Sequence, residues 1–347
     1  MQQSAPSSST LDKDIEAFRA VLAKSKRIVV LAGAGLSVAS GITTWRGNSG
    51  GSPWRGHDFF KLSTKAAFID DPSRIWQYNH YLRTMMLPAS PNAAHAALAR
   101  LALPASRLAL APHSTAFTLI TQNIDGLDRR ALEHAYRDAG LPSPLASSST
   151  SPSPSTQEDP LLLEMHGHVA GVLCTDYACR HRTLDLTTPL CPALAGTELV
   201  VDARPAPLPS LPYPKRTAAA ARAWAAARFA GVQRQAEEEG EPEIAVSDLP
   251  RCGKCGSLLR PDIVWFTEVP HRIAEVVRVV EAADVIMVVG TSAVVHPAAT
   301  FAAKVKERGG TVAIFNVERS DRDGLADFVF LGPCEEILPR VLDLGDK

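Results

Sequence analysis

The sequence predicts an α/β fold organised around a parallel sheet, and three observations carry that reading. Four apolar, β-branched runs have the length of core strands: "IVVLAG" (28–33), "FTLITQN" (117–123), "DVIMVVGTS" (284–292) and "TVAIFNVE" (311–318). The last two flank "HPAATFAAKVKERGG", a helical stretch closed by Gly309 and Gly310, which makes a βαβ unit with a parallel crossover. The first runs into Gly33-Ala34-Gly35, glycines that permit a tight turn and let backbone N–H groups approach a pyrophosphate.

Along the chain, residues 11–26 read as a helix with Ile15, Phe18 and Leu22 on one face. After the glycine turn, a hydride-transferring dinucleotide enzyme would want a third glycine at position 38 and an acid ending a second strand. Position 38 is Val38, and Asp58 follows "WRGH" with no strand before it, so a borrowed cofactor loses support. Further helices are expected at 72–87, after Asp71-Pro72, and at 92–102. Two segments look inserted. Residues 141–160 are Ser/Pro-rich and are expected to be a disordered loop; residues 196–249 pass from a proline-rich stretch through the basic, alanine-rich "KRTAAAARAWAAARFAGVQRQ" to "EEEGEPE", and are expected to form a solvated surface helix with charged flanks in preference to a dedicated binding arm.

With 347 residues the chain has room for one large domain or two interleaved ones. Its net charge of −1 gives no electrostatic case for nucleic acid or an anionic membrane as direct partner. No apolar run approaches the roughly 20 residues of a bilayer span. The first residues carry no apolar signal core, so an intracellular protein is expected, cytoplasmic or nuclear in preference and mitochondrial not excluded. Six cysteines are too sparse for a disulfide scaffold.

Those cysteines give the sharpest local signal. Cys174-x4-Cys179 and Cys252-x2-Cys255 form two pairs, each followed by turn-forming or basic residues, as in metal knuckles. Four thiolates suit tetrahedral Zn²⁺ and leave no open position, so the metal would be structural. Cys191 and Cys334 read as ordinary buried or loop thiols. In "ITQNIDGLDRRA" a strand ends in Gln122-Asn123-Ile124-Asp125, putting an amide and a carboxylate where open α/β sheets bind ligands. Such a pair suits a carboxamide; it equally suits a helix N-cap. In "LLEMHGHV", His166 and His168 stand just before the first cysteine pair, where either a structural imidazole or a general base is at home.

Taken in order, "GAGLSVASGITTWRG", "TQNID", "HG", two cysteine pairs, "RPDIVWF", "VVGTS" and "FNVE" resemble the sirtuin (Sir2-like) family of NAD-dependent protein-lysine deacylases, over about 11–345 apart from the inserts. "VWF", "CPALAG", "LPRC" and "LGPC" look most like the branch that includes the mitochondrial desuccinylase. The resemblance implies a Rossmann-like large domain (about 11–44, 92–165 and 262–347), a helical module (about 45–91) and a zinc module (about 166–261). It also implies that NAD is consumed as a co-substrate, with acyl-lysine protein or peptide as the partner.

Carried over residue by residue, Gly33, Ala34, Gly35 and Ser37 would cradle the phosphates, with Trp45 and Arg46 on the loop closing over the nicotinamide ribose. Gln122, Asn123, Ile124 and Asp125 would line the nicotinamide side, Asn123 and Asp125 holding the carboxamide. Gly290, Thr291, Ser292, Asn316, Glu318 and Cys334 match positions around the adenosine. His166 would be the general base acting through the ribose hydroxyls, and Val264, Trp265 and Phe266 would pair with the extended peptide. Two departures stand in the loop: Thr43 where the family usually has Pro, and Trp45 where it has Phe. A mono-ADP-ribosyltransferase and a catalytically idle NAD-sensing scaffold remain as competing readings.

The acyl group is where the resemblance and this sequence part. Desuccinylase-like relatives read an acidic acyl group with a Tyr and an Arg at i and i+3 of the helix after the loop. Alignment through Trp76, His80, Tyr81 and Met86 puts Asn79 and Leu82 at those positions. A neutral acyl group is therefore expected, unless Arg83, Tyr78 or the long insert supplies the cation contact by another route.

Overall fold

The computed structural model describes residues 8–44, 54, 55, 57–143, 145, 159–198, 242–292, 294–320 and 323–344. Trp45, Arg46, most of 141–160 and most of 196–249 lie outside the described residues, and so do the expectations placed on them. In chain order the elements are α1 (Ser8–Lys24), β1 (Arg27–Ala32), α2 (Phe59–Leu62), α3 (Lys65–Asp70), α4 (Pro72–Met86), α5 (Ala93–Ala102), α6 (Pro104–Leu110), β2 (Ala116–Thr121), α7 (Leu127–Asp138) and β3 (Leu162–Glu164). There follow β4 (Gly167–Cys174), β5 (Arg182–Leu184), β6 (Leu259–Ile263), α8 (Ile273–Glu281), β7 (Val285–Val289), α9 (Phe301–Glu307), β8 (Thr311–Asn316), β9 (Phe328–Leu331) and α10 (Cys334–Leu342). Two compact units emerge: Met1–Ile42 with Ala89–His166 and Pro270–Lys347, and Thr43–Pro88 with Gly167–Val269.

The first unit is a six-stranded sheet in the order β3-β2-β1-β7-β8-β9, every neighbouring pair parallel. Strand alternation explains its two-sided burial. Ile28, Val30 and Ala32 enter one apolar cluster with Phe18 of α1, Leu98 of α5, Leu132 of α7 and Leu338 of α10. Val29 and Leu31 enter another with Val276 of α8 and Phe301 of α9. Helices thus cover both faces, which is why the central strands read as continuous apolar runs. Ile15, Phe18 and Leu22 are all buried, as their shared face predicts, and Phe18 meets Phe315 and Phe330 with ring centroids 6.0 and 5.6 Å apart. β3 and β9 are short edge strands that the sequence reading did not separate from their loops.

The second unit carries a three-stranded antiparallel sheet, β5-β4-β6, with α4 as its main helix. Asp71 caps α4 by accepting from Arg74 N at 2.9 Å, with Pro72 in the first turn where its missing N–H costs nothing. Polar side chains tie α4 to the sheet. Trp76 Nε1 donates to Leu259 O at 2.9 Å, and Arg83 donates to Val169 O, Asp185 O and Thr187 O at 3.0, 2.5 and 2.6 Å. Gly167 opens β4 with φ 84, and a Cβ there would lie 2.1 Å from Asp262 O, so the residue after His166 has to be glycine.

Candidate active site

In the first unit, polar residues beyond β2 converge on the turn that follows β1. β2 stops at Thr121, two residues short of the run read from the sequence, so Gln122 to Asp125 lie past its C-terminal end. β7 likewise ends at Val289 because Gly290 turns the chain with φ 59. Gly33 N donates to Val289 O at 2.9 Å and Gly35 N to Gly290 O at 2.7 Å. A Cβ on Gly35 would sit 2.7 Å from that same oxygen. The glycine motif therefore serves backbone-to-backbone packing of two loops, as well as anything a ligand asks of it.

Ser37 is the hub of this polar cluster. Its hydroxyl donates to Asp125 Oδ2 at 2.7 Å and accepts from Asn123 Nδ2 at 3.3 Å; the same amide donates to Gly33 O at 3.1 Å. Asp125 Oδ1 accepts from Leu127 N at 2.8 Å, so the carboxylate also holds the start of α7. Ser37, Asn123 and Asp125 are all buried. Burial raises the Asp125 carboxyl above its ordinary value and the nearby Asp128 adds to this, while the bonds from Leu127 and Ser37 oppose it.

His166 lies two residues past the end of β3, with Nδ1 3.0 Å from Gln122 O. A carbonyl only accepts, so Nδ1 carries the proton and the neutral ring presents Nε2 as its basic nitrogen. Burial lowers the His166 pKa, and His271 lowers it further against the bond to Gln122. The ring is thus neutral at physiological pH, as a general base requires. His168 is engaged differently, accepting from Ala170 N at 2.9 Å within its own strand. Gln122 Nε2 reaches Thr291 Oγ1 at 3.3 Å and Asn316 Nδ2 reaches Thr291 O at 3.5 Å, linking three strand ends. Ile124 is half-buried, while Ser292 and Glu318 are exposed. Cys334 is a core thiol at the start of α10, pushed up to about 12 by burial. Sequence reasoning missed Asp128, which is pushed up to about 6, chiefly by burial. Its signal was a second acid three residues after Asp125.

In the second unit, the Sγ atoms of Cys174, Cys179, Cys252 and Cys255 lie within 4.8 Å of one another, with Cys174–Cys255 at 3.5 Å and Cys179–Cys252 at 3.8 Å. Zinc–sulfur bonds of about 2.3 Å require tetrahedral edges of about 3.8 Å, so the donor set fits the ion. Turns hold each pair: Cys252 N donates to Ser257 O at 2.8 Å and Gly256 N to Cys252 O at 2.8 Å.

On α4, Asn79 and Leu82 are each 3% exposed. Arg83 is 1% exposed and committed through both terminal nitrogens to backbone carbonyls, so its guanidinium fork is not free for a ligand carboxylate. Tyr78 stacks with Tyr81 at 6.5 Å and lies 5.4 Å from Trp54. Trp265 is buried under Arg260, whose Cζ is 3.7 Å from the ring centroid. Trp265 N donates to Glu268 Oε2 at 3.0 Å and Phe266 N to Ser63 O at 2.9 Å. Val264 is half-buried.

A parallel sheet wound by helices on both faces, a buried polar cluster beyond its strand ends and a tetrathiol knuckle define a Rossmann-like α/β protein with a structural metal module. The chain belongs to the Sir2 family, which matches residues 33–136 and 225–297. It is 34% identical over 346 residues to NAD-dependent protein deacylase sirtuin-5, mitochondrial, of Xenopus tropicalis, spanning 99% of this chain and 88% of that one. It is 32% identical to an NAD-dependent protein deacylase of Candida albicans, spanning 97% and 100%. Among solved structures, a Sir2 homolog–NAD complex superposes with a TM-score of 0.62 at 28% identity, over 94% of this chain and 92% of that one. A mutant Sir2 homologue in complex with ADP-ribose does so with 0.62 at 28%, over 95% of each.

Proposed function

We propose that this chain is an NAD-dependent protein-lysine deacylase, which cleaves the nicotinamide–ribose bond and passes the acyl group to ADP-ribose. One observation carries the reading: His166 is held by Gln122 O in the tautomer that offers Nε2, beside the run that contains Asn123 and Asp125. NAD supplies the activated ribose carbon, and the remaining roles fall to the chain. Asn123 and Asp125, fixed by Ser37, hold the carboxamide; His166 takes a ribose hydroxyl proton through Nε2. Such general-base help is worth about 10²–10⁴-fold. Gly33, Ala34, Gly35 and Ser37 take the phosphates, and Gly290, Thr291, Ser292, Asn316 and Glu318 the adenosine half. Trp45 and Arg46, outside the described residues, keep their assignment to the ribose loop.

The substrate is an acylated protein or peptide. The amides of Trp265 and Phe266 already have partners, so a peptide strand pairs with Val264 and with carbonyl groups of this segment. Zinc, held by Cys174, Cys179, Cys252 and Cys255, stabilises the module and takes no chemical part. No described helix is long and apolar enough to cross a membrane.

Asn79, Leu82 and the commitment of Arg83 support a neutral acyl group, acetyl or somewhat longer, over succinyl. Loss of one partner of a buried charge pair costs about 2–5 kcal/mol, so succinyl should be disfavoured by a factor on the order of 30 or more. Mass spectrometry of the products from one peptide carrying acetyl, butyryl or succinyl tests both levels. Acyl-ADP-ribose and free lysine are expected. Adenine label retained on protein would instead indicate ADP-ribosyl transfer, and no nicotinamide release would indicate a scaffold.

A further inference from the structure

Asn79 differs from the other buried polar side chains of α4. Trp76 and Arg83 donate to backbone carbonyls, Gln77 Nε2 donates to Pro242 O at 2.8 Å, and His80 Nε2 meets Glu198 Oε2 at 2.7 Å. The whole Asn79 amide, Oδ1 and Nδ2 alike, is buried without a hydrogen-bond partner among the described residues. Buried amides are paired in the great majority of cases, so an unpaired one on a functional helix points to a ligand. Helical geometry of about 100° per residue sets Asn79 about 60° around the helix from Leu82 and about 40° from Arg83. It therefore stands on the shoulder between the apolar stripe of Ile75, Leu82 and Met86 and the polar side of the helix.

We infer that Asn79 makes this a deacylase for neutral acyl chains bearing a hydrogen-bonding substituent, a hydroxyl or a primary carboxamide, in preference to plain alkyl chains. The inference rests on the deacylase reading above and on the placement of positions 79 and 82 where acyl groups are read. A chain lying on Leu82 brings its substituent to an amide that offers one acceptor and two donor hydrogens. A hydroxyl or carboxamide both donates and accepts, so it satisfies Oδ1 and Nδ2 together. A carboxylate only accepts, and would leave Oδ1 facing an anion. An alkyl chain leaves both groups buried and unpaired, the situation in which polar sites discriminate most strongly.

The experiment measures kcat/KM for butyryl, 3-hydroxybutyryl, succinamoyl and succinyl forms of one lysine peptide, with wild type and Asn79→Leu, a swap of similar volume. In the wild type, the hydroxyl or carboxamide form should exceed butyryl by about tenfold, one net hydrogen bond. In Asn79→Leu that ratio should fall to near one, with thermal stability unchanged or raised, since a buried unpaired amide is gone. A purely structural asparagine would change all substrates together and leave the ratio intact. Asn79→Ala replaces the leucine variant if the latter does not fold. A wild-type ratio at or below one, a ratio that survives in the variant, or succinyl as the best substrate each overturns the inference. Absence of turnover with every acyl form sinks the deacylase reading itself, and this inference with it.

Discussion

The two units keep their folds by different means. In the first, strands buried on both faces supply apolar area through two large clusters, and the polar side chains beyond the strand ends are free to tie one another: Asn123 and Asp125 through Ser37, His166 through Gln122. In the second, the sheet is small, β5 is exposed along its length, and order comes from single polar anchors such as Arg83 and from four gathered thiols. A large core leaves its polar groups available for chemistry, whereas a small one depends on a few point attachments. The second unit should therefore fail on the loss of one group, while the first should lose activity before it loses structure.

The most severe test of that contrast is Cys252→Ala. Structural zinc sites contribute about 10–16 kcal/mol of apparent binding energy at pH 7, so zinc should be lost and β4 and β6 should exchange their amide hydrogens freely. β1 and β7 should remain protected; protected β4 amides in zinc-free protein would break the comparison. His166→Ala comes next, with kcat lower by about 10²–10⁴ and melting nearly unchanged, against a mild effect for His168→Ala. Because burial lowers the His166 pKa, the acid limb of kcat/KM should have its midpoint below the usual value of 6.5. Activity falls only as pH drops through that midpoint and the ring is protonated; a midpoint above 7 would remove His166 as the base.

Asp128→Asn probes what the first unit tolerates for its site. The Thr121 hydroxyl favours the anion, but neither carboxyl oxygen reaches hydrogen-bonding geometry. A folded pKa of about 6 against 3.8 means the ionised form destabilises the fold above pH 6, by about 3 kcal/mol at most. The amide should therefore raise the melting temperature at pH 7, with the gain vanishing as pH falls from 6 towards 4. A loss at pH 7 would show the charge to be used. Ser37→Ala removes the shared hydroxyl and should cost about 2 kcal/mol in apparent NAD affinity, read by calorimetry. The smallest effect belongs to excision of Ser143 to Gln157: turnover should stay within a few-fold, since loop length is thermodynamically cheap. Asp159, bound to Arg27 and Arg278, lies beyond the cut.

The sequence by itself determined the parallel sheet, the helix faces and the cysteine set, because each is written in local periodicity or spacing. Ile15, Phe18 and Leu22 repeat at helical intervals and are buried; Cys174, Cys179, Cys252 and Cys255 stand in pairs and meet. It also singled out Ser37, Asn123, Asp125 and His166, but only through the order of motifs shared with the sirtuin family. Tertiary structure decided how they act. Ser37 and Asp125 are 88 residues apart in the chain, and no local pattern reveals that one hydroxyl joins them. Nor does spacing reveal that a carbonyl at residue 122 fixes the proton on His166, 44 residues later. Arg83 looked available for a ligand and is committed to three carbonyls of the neighbouring sheet and loop, while Asn79, which the alignment marked only as a replaced tyrosine, has no hydrogen-bond partner among the described residues. Hydrogen-bond satisfaction depends on what surrounds a side chain in three dimensions, and that is a property the linear order does not carry.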